Sequence, residues 1–105
     1  MNTIEPGLYY HYKHDPLKDI SNYAYEVLNI AYHTEMHGKE EGILVVYRPL
    51  YESFTYKAGK HWDVRPFFMF MENVIKDGKK IPRFSKITDP SIISELEAIK
   101  RKLYD

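Results

Sequence analysis

The sequence predicts a mainly β domain, a small antiparallel barrel carrying one C-terminal α-helix, and three observations lead there. Residues 42–51, Gly-Ile-Leu-Val-Val-Tyr-Arg-Pro-Leu-Tyr, form an apolar, β-branched run. Such a run reads as a strand buried on both faces, with Gly42 and Pro49 marking where pairing stops. Asp77-Gly78 lies between Asn73-Val74-Ile75 and Lys80-Ile81, a two-residue hairpin signal, because a type I′ turn needs positive φ at both central residues. Behind Asp89-Pro90, residues Ile92, Ile93, Leu96, Ile99 and Leu103 recur at helical spacing. Aspartate as N-cap and proline at the first helical position start that helix, which should dock on the sheet.

The remaining elements follow in chain order. Leu8 to Lys13 alternates as a first strand, with Leu8, Tyr10 and Tyr12 on one face and Tyr9, His11 and Lys13 on the other, one of the two being wetter. His14 to Asn22 contains Asp15-Pro16 and Ser21-Asn22 and reads as a loop. A second strand covers residues 23–34, where alternation puts Ala24, Glu26, Leu28, Ile30 and Tyr32 on one face and Tyr25, Val27, Asn29, Ala31 and His33 on the other. Glu35 to Glu41 turns into the third strand. Residues 52–61 read as a loop with a short strand at Phe54-Thr55-Tyr56, Trp62 to Arg65 restores alternation, and Pro66 opens a short helical turn over 67–71. Pro82 places the strand returning from the hairpin at an edge.

Several strands without βαβ alternation favour antiparallel pairing, and closing a sheet of about five strands would remove its exposed edges. The 105 residues make one domain, barrel over 7–84 and helix over 89–104. Fifteen basic and fifteen acidic side chains give zero formal charge, which argues against a protein built mainly to grip phosphate backbones. Without cysteine, disulfides and thiol catalysis are excluded. The opening segment Met1–Gly7 lacks the basic and apolar regions of a signal peptide, and no run has the length of a membrane span. The expected compartment is the cytoplasm, with no membrane partner.

Leu8-Tyr9-Tyr10-His11-Tyr12-Lys13, then Tyr25-Glu26-Val27-Leu28 through His33-Thr34-Glu35, Leu44-Val45-Val46-Tyr47-Arg48 with Leu50-Tyr51, Val64-Arg65-Pro66 through Met69-Phe70, Asp77-Gly78-Lys79 and Ile81-Pro82-Arg83-Phe84 stand in one order and spacing. Together they resemble the bacterial family known as domain of unknown function 1653, over roughly residues 7–84. The resemblance implies a small SH3-like barrel and carries no established activity. Three departures from the family pattern are a longer first loop (His14 to Asn22), Pro49 after Arg48, and a helix beyond Phe84.

No nucleophile motif, glycine-rich phosphate loop or paired catalytic aspartates is present, so no catalytic residue is assigned. His11 and His14 are three apart and His33 and His37 four apart. Both pairs fall on strand ends or turns, where that spacing does not gather two rings on one metal, and no metal or cofactor is expected. Each of Arg48-Pro49 and Arg65-Pro66 holds its arginine in extended backbone. Those forks either brace the fold against Glu26, Asp63 or Glu72, or meet a carboxylate or phosphate. Trp62, Tyr10, Tyr12, Tyr47 and Tyr51 either fill the core or line a groove for an extended ligand.

The reading is a noncatalytic binding module with a patch of Arg48, Tyr51, Trp62, Arg65, His33 and Glu35. An extended peptide or a small anion is favoured as partner over nucleic acid. The alternatives are a nucleic-acid-binding barrel and a small enzyme using His33 oriented by Glu35.

Overall fold

In a computed structural model that describes residues 3–105, five strands lie side by side in one antiparallel sheet. Their spatial order is β4 (Asp63–Pro66), β3 (Ile43–Pro49), β2 (Ala24–Tyr32), β1 (Gly7–His11) and β7 (Phe84–Lys86). A two-stranded ribbon, β5 (Asn73–Lys76) and β6 (Lys79–Pro82), forms a separate sheet. Short helices α1 (Phe54–Lys57) and α2 (Phe67–Phe70) sit in the connections on either side of β4, and α3 (Pro90–Tyr104) closes the chain. Met1 and Asn2, which begin the opening segment read above, lie outside the described residues.

The mainly antiparallel class and the C-terminal helix agree with the sequence reading. The closed barrel does not form, because β4 and β7 stand at opposite ends of the order and do not pair. Layering replaces closure: each face of the open sheet buries its apolar side chains under other elements. Leu8, Ala24, Leu50 and Ile87 pack with Leu96 of α3, supported by Tyr10, Ile20, Ile92, Ile93 and Ile99. On the opposite face Tyr9, Val27, Val45, Tyr47 and Phe84 pack with Phe70 of α2. The edges are blunted locally, β4 by Pro66, which offers no N–H, and β7 by being three residues long.

Alternation in β1 holds: Leu8 goes to the helix side and Tyr9 to the aromatic side. In β2 it fails after Val27. Val27 pairs with Tyr47 but Asn29 with Val46, so Leu28 is an inserted residue, a β-bulge. The bulge keeps Tyr25, Val27 and Ile30 together against the aromatic core, where strict alternation separates them. In β3 one face is buried through Val45, Tyr47 and Pro49, while Leu44, Val46 and Arg48 are half-buried, so the strand is not sealed on both sides.

Three further differences have local causes. The strand expected at 54–56 is the helical turn α1, because the Ser53 hydroxyl accepts from the Tyr56 N–H and caps it. The strand β7 has no separate apolar run of its own, and its register with β1, Tyr9 to Lys86 and His11 to Phe84, draws it into the sheet. The hairpin turn is as read: Asp77 and Gly78 have φ of 52° and 75°. Asp89 caps α3, its carboxylate accepting from the N–H groups of Ser91 and Ile92.

Candidate functional site

The two arginines expected to share a binding surface occupy opposite faces of the sheet. Arg48 pairs in register with Glu26, on the side covered by α3. Its Nε donates to Glu26 Oε1 at 2.8 Å, and its guanidinium lies 4.0 Å from the ring centre of Tyr104. Lys100 donates to the other Glu26 oxygen at 2.9 Å and pairs with Glu97 at 2.7 Å. With Arg48 and Glu26 side chains only 19% and 15% exposed, this network fastens helix to sheet. Arg48 is a brace, and the patch drawn around it from the sequence is corrected accordingly.

Arg65 pairs in register with Val45 on the aromatic side. Its Nε donates to the Tyr47 hydroxyl at 3.3 Å, and its guanidinium lies 5.5 Å from the ring centre of Phe84. Unlike Arg48 it forms no ion pair among the described residues. Asp63, two residues away on the same strand, is held by the Thr55 hydroxyl at 3.3 Å, and burial raises its pKa above the ordinary carboxylate value. Arg83, the next arginine on this side, is taken up by the Met69 carbonyl and the Glu72 carboxylate.

Around Arg65 stands a wall of rings. Tyr25 packs edge-on against Tyr47, Tyr51 and Phe84, and the Tyr25 and Tyr51 hydroxyls hydrogen-bond each other. Burial raises the pKa of both phenols, first among the causes in each case, so both stay protonated. Tyr23 lies between His11, at 5.6 Å, and Tyr51, at 6.1 Å between ring centres. It holds a left-handed backbone with φ of 52°, a conformation costly for a bulky side chain and one that concentrates at functional sites.

His11 completes the cluster. Its pKa is lowered to about 4, by burial first and then by the charges of Arg65, Lys13 and Arg83. Nδ1 accepts from the Lys13 N–H at 3.2 Å, which leaves the proton of the neutral ring on Nε2 as a donor. A histidine whose folded pKa lies below its unfolded one contributes stability above the unfolded value, and loses it as pH falls from about 6.5 toward 4. Discounted for its solvent exposure, the effect is on the order of 1 kcal/mol. Urea midpoints of His11→Gln at pH 7 and pH 4.5 should therefore fall less steeply with acid than those of the unsubstituted protein; equal slopes contradict the assignment.

Of the remaining sequence-predicted residues, Tyr51 joins Arg65 in this cluster. Trp62, 60% exposed, precedes β4. His33 and Glu35 lie past the far end of β2, roughly 25 Å of strand from Tyr25. There His33 Nδ1 accepts from the Glu35 backbone N–H at 3.2 Å, capping a 3₁₀ turn, so the ring bonds the Glu35 backbone and not its carboxylate. Among the described residues no three of His, Asp and Glu gather as metal ligands, and no helix is long and apolar enough to cross a membrane. His11, Tyr25 and Phe84 were not singled out for binding by the sequence. The signal that finds them is the Tyr9 and His11 face of β1 carried across to its two neighbours.

Comparison with known proteins gives two matches of one kind. The model of a family described as Protein of unknown function (DUF1653) matches residues 7–86. A crystal structure of a protein belonging to that family, from Bordetella bronchiseptica, is similar with 29% identity and a TM-score of 0.57, covering 82% of this chain and 94% of that one. No curated protein matches.

Proposed function

This chain belongs to the DUF1653 family, a membership that brings a fold without an activity, and on that premise we propose a noncatalytic binding module for an anionic ligand. Arg65 is the observation that carries the reading. A guanidinium in no ion pair among the described residues, oriented by the Tyr47 hydroxyl and the Phe84 ring, is prepared for a bidentate carboxylate or phosphate. Neutral His11 supplies a further donor, and the tyrosine rings supply walls that suit a planar or aromatic group. An extended peptide bearing such a group meets the same chemistry.

The test is titration with inorganic phosphate and with N-acetyl-tyrosine, its amide serving as uncharged control, followed by ¹⁵N-detected shifts of Arg65 Nε and of the His11 amide. Both anions should produce saturable shifts and the amide none. Arg65→Ala should weaken binding by about tenfold or more, the loss of a charge-assisted hydrogen bond. Arg65→Lys should recover little, since it lacks the fork, and Arg48→Ala should leave affinity unchanged. Equal affinity for acid and amide, or an Arg65→Ala variant that binds normally, overturns the proposal.

A further inference from the structure

A concave surface lies beside α3, and Tyr51, which also belongs to the ring cluster around Arg65, is among the residues that line it. It is a groove of about 480 Å³ with Leu50 in its floor, Ile20 on one wall and Ile99 and Leu103 of α3 on the other. Asp19 and Glu52 also line it. Both carboxylates are exposed, and neither forms an ion pair among the described residues.

The walls are fixed in place. The Tyr10 hydroxyl donates to the Ile20 carbonyl at 2.6 Å, and the Asn22 amide ties the loop to the Asp15 and Asp19 carbonyls. The Tyr56 hydroxyl donates to the Leu103 carbonyl at 3.2 Å, holding the end of α3. A preformed groove of this size falls in the range of ligand sites and spends little free energy on ordering. The family match ends at residue 86 and α3 begins at Pro90, so one wall lies outside the matched region.

We infer that this groove binds a peptide segment in which a lysine or arginine stands beside apolar residues. The apolar floor and walls take up neighbouring aliphatic side chains, and the carboxylates at Asp19 and Glu52 meet the cation. A cationic tip on an aliphatic stem matches both features at once.

The probe is the capped tripeptide acetyl-Leu-Lys-Leu-amide, with acetyl-Leu-Glu-Leu-amide as the charge-reversed control, titrated against the full chain by ¹H–¹⁵N spectra. Saturable shifts at Ile20, Ser21 and Leu103 with the lysine peptide alone, weakened about tenfold in the Asp19→Asn/Glu52→Gln variant, support the site. Both substitutions lie on exposed side chains that make no hydrogen bond among the described residues, so the variant should keep its fold, which the same spectra report. Equal response to the two peptides, no shift up to about 10 mM, or indifference to the double substitution overturns it. Sedimentation of the protein alone covers a remaining occupant: mass rising with concentration, abolished by the double substitution, assigns the groove to a second copy and likewise overturns the peptide proposal.

Discussion

Replacing Phe70 with alanine is expected to cost about 3–5 kcal/mol, the range for deleting a fully buried aromatic ring. Phe70 is 1% exposed and lies face to face with Phe84, ring centres 4.0 Å apart, with Tyr9 and Tyr47 edge-on around it. Those neighbours belong to three different strands, so they cannot collapse together into the space without moving the sheet. A domain of this size has roughly 5–15 kcal/mol of stability in total, and its melting temperature should fall by on the order of 20 °C. Phe70→Leu, which leaves a smaller void, should lose less than half as much. Calorimetric melting of both variants checks the ranking; a Phe70→Ala protein melting within a few degrees of the original contradicts the packing described.

Glu26→Ala should be the most damaging substitution of a charged residue, at about 2–3 kcal/mol. It strips the counter-charge from Arg48 and leaves Lys100 with Glu97 alone, in a place where both cations are largely screened from water. The figure sits below that for a fully buried pair because part of the network reaches solvent. Glu26→Leu combined with Arg48→Met should recover much of the loss, since an apolar pair needs no counter-charge. Urea unfolding of the single and double variants distinguishes the cases. A single variant within about 0.5 kcal/mol of the original makes the network a surface ornament.

The elements legible in the sequence were those whose signal is local. Asp77-Gly78 and Asp89-Pro90 dictate a turn and a helix start through their own backbone preferences, and the stripe from Ile92 to Leu103 places α3 on the sheet. The sheet stays open for a non-local reason: whether two edges meet depends on what covers the faces, and the helix and Phe70 cover them here. The candidate site was legible in part. Arg65 and Tyr51 were named, but nothing in the two similar Arg-Pro steps shows that Arg48 pairs with Glu26 while Arg65 forms no ion pair among the described residues. That difference arises from strand register, which puts Arg48 opposite Glu26 and Arg65 opposite Val45, on opposite sides of one sheet.

The inserted residue at Leu28 has a consequence for how this chain tolerates changes in length. Removing an interior residue of β2 away from the bulge transposes the side chains on one side of the gap to the opposite face. Removing Leu28 alone leaves Val27 opposite Tyr47 and Asn29 opposite Val46, the pairings already present. The strand thus carries one expendable spacer, and shortening it there should relax the local coiling of the sheet while sparing its sidedness.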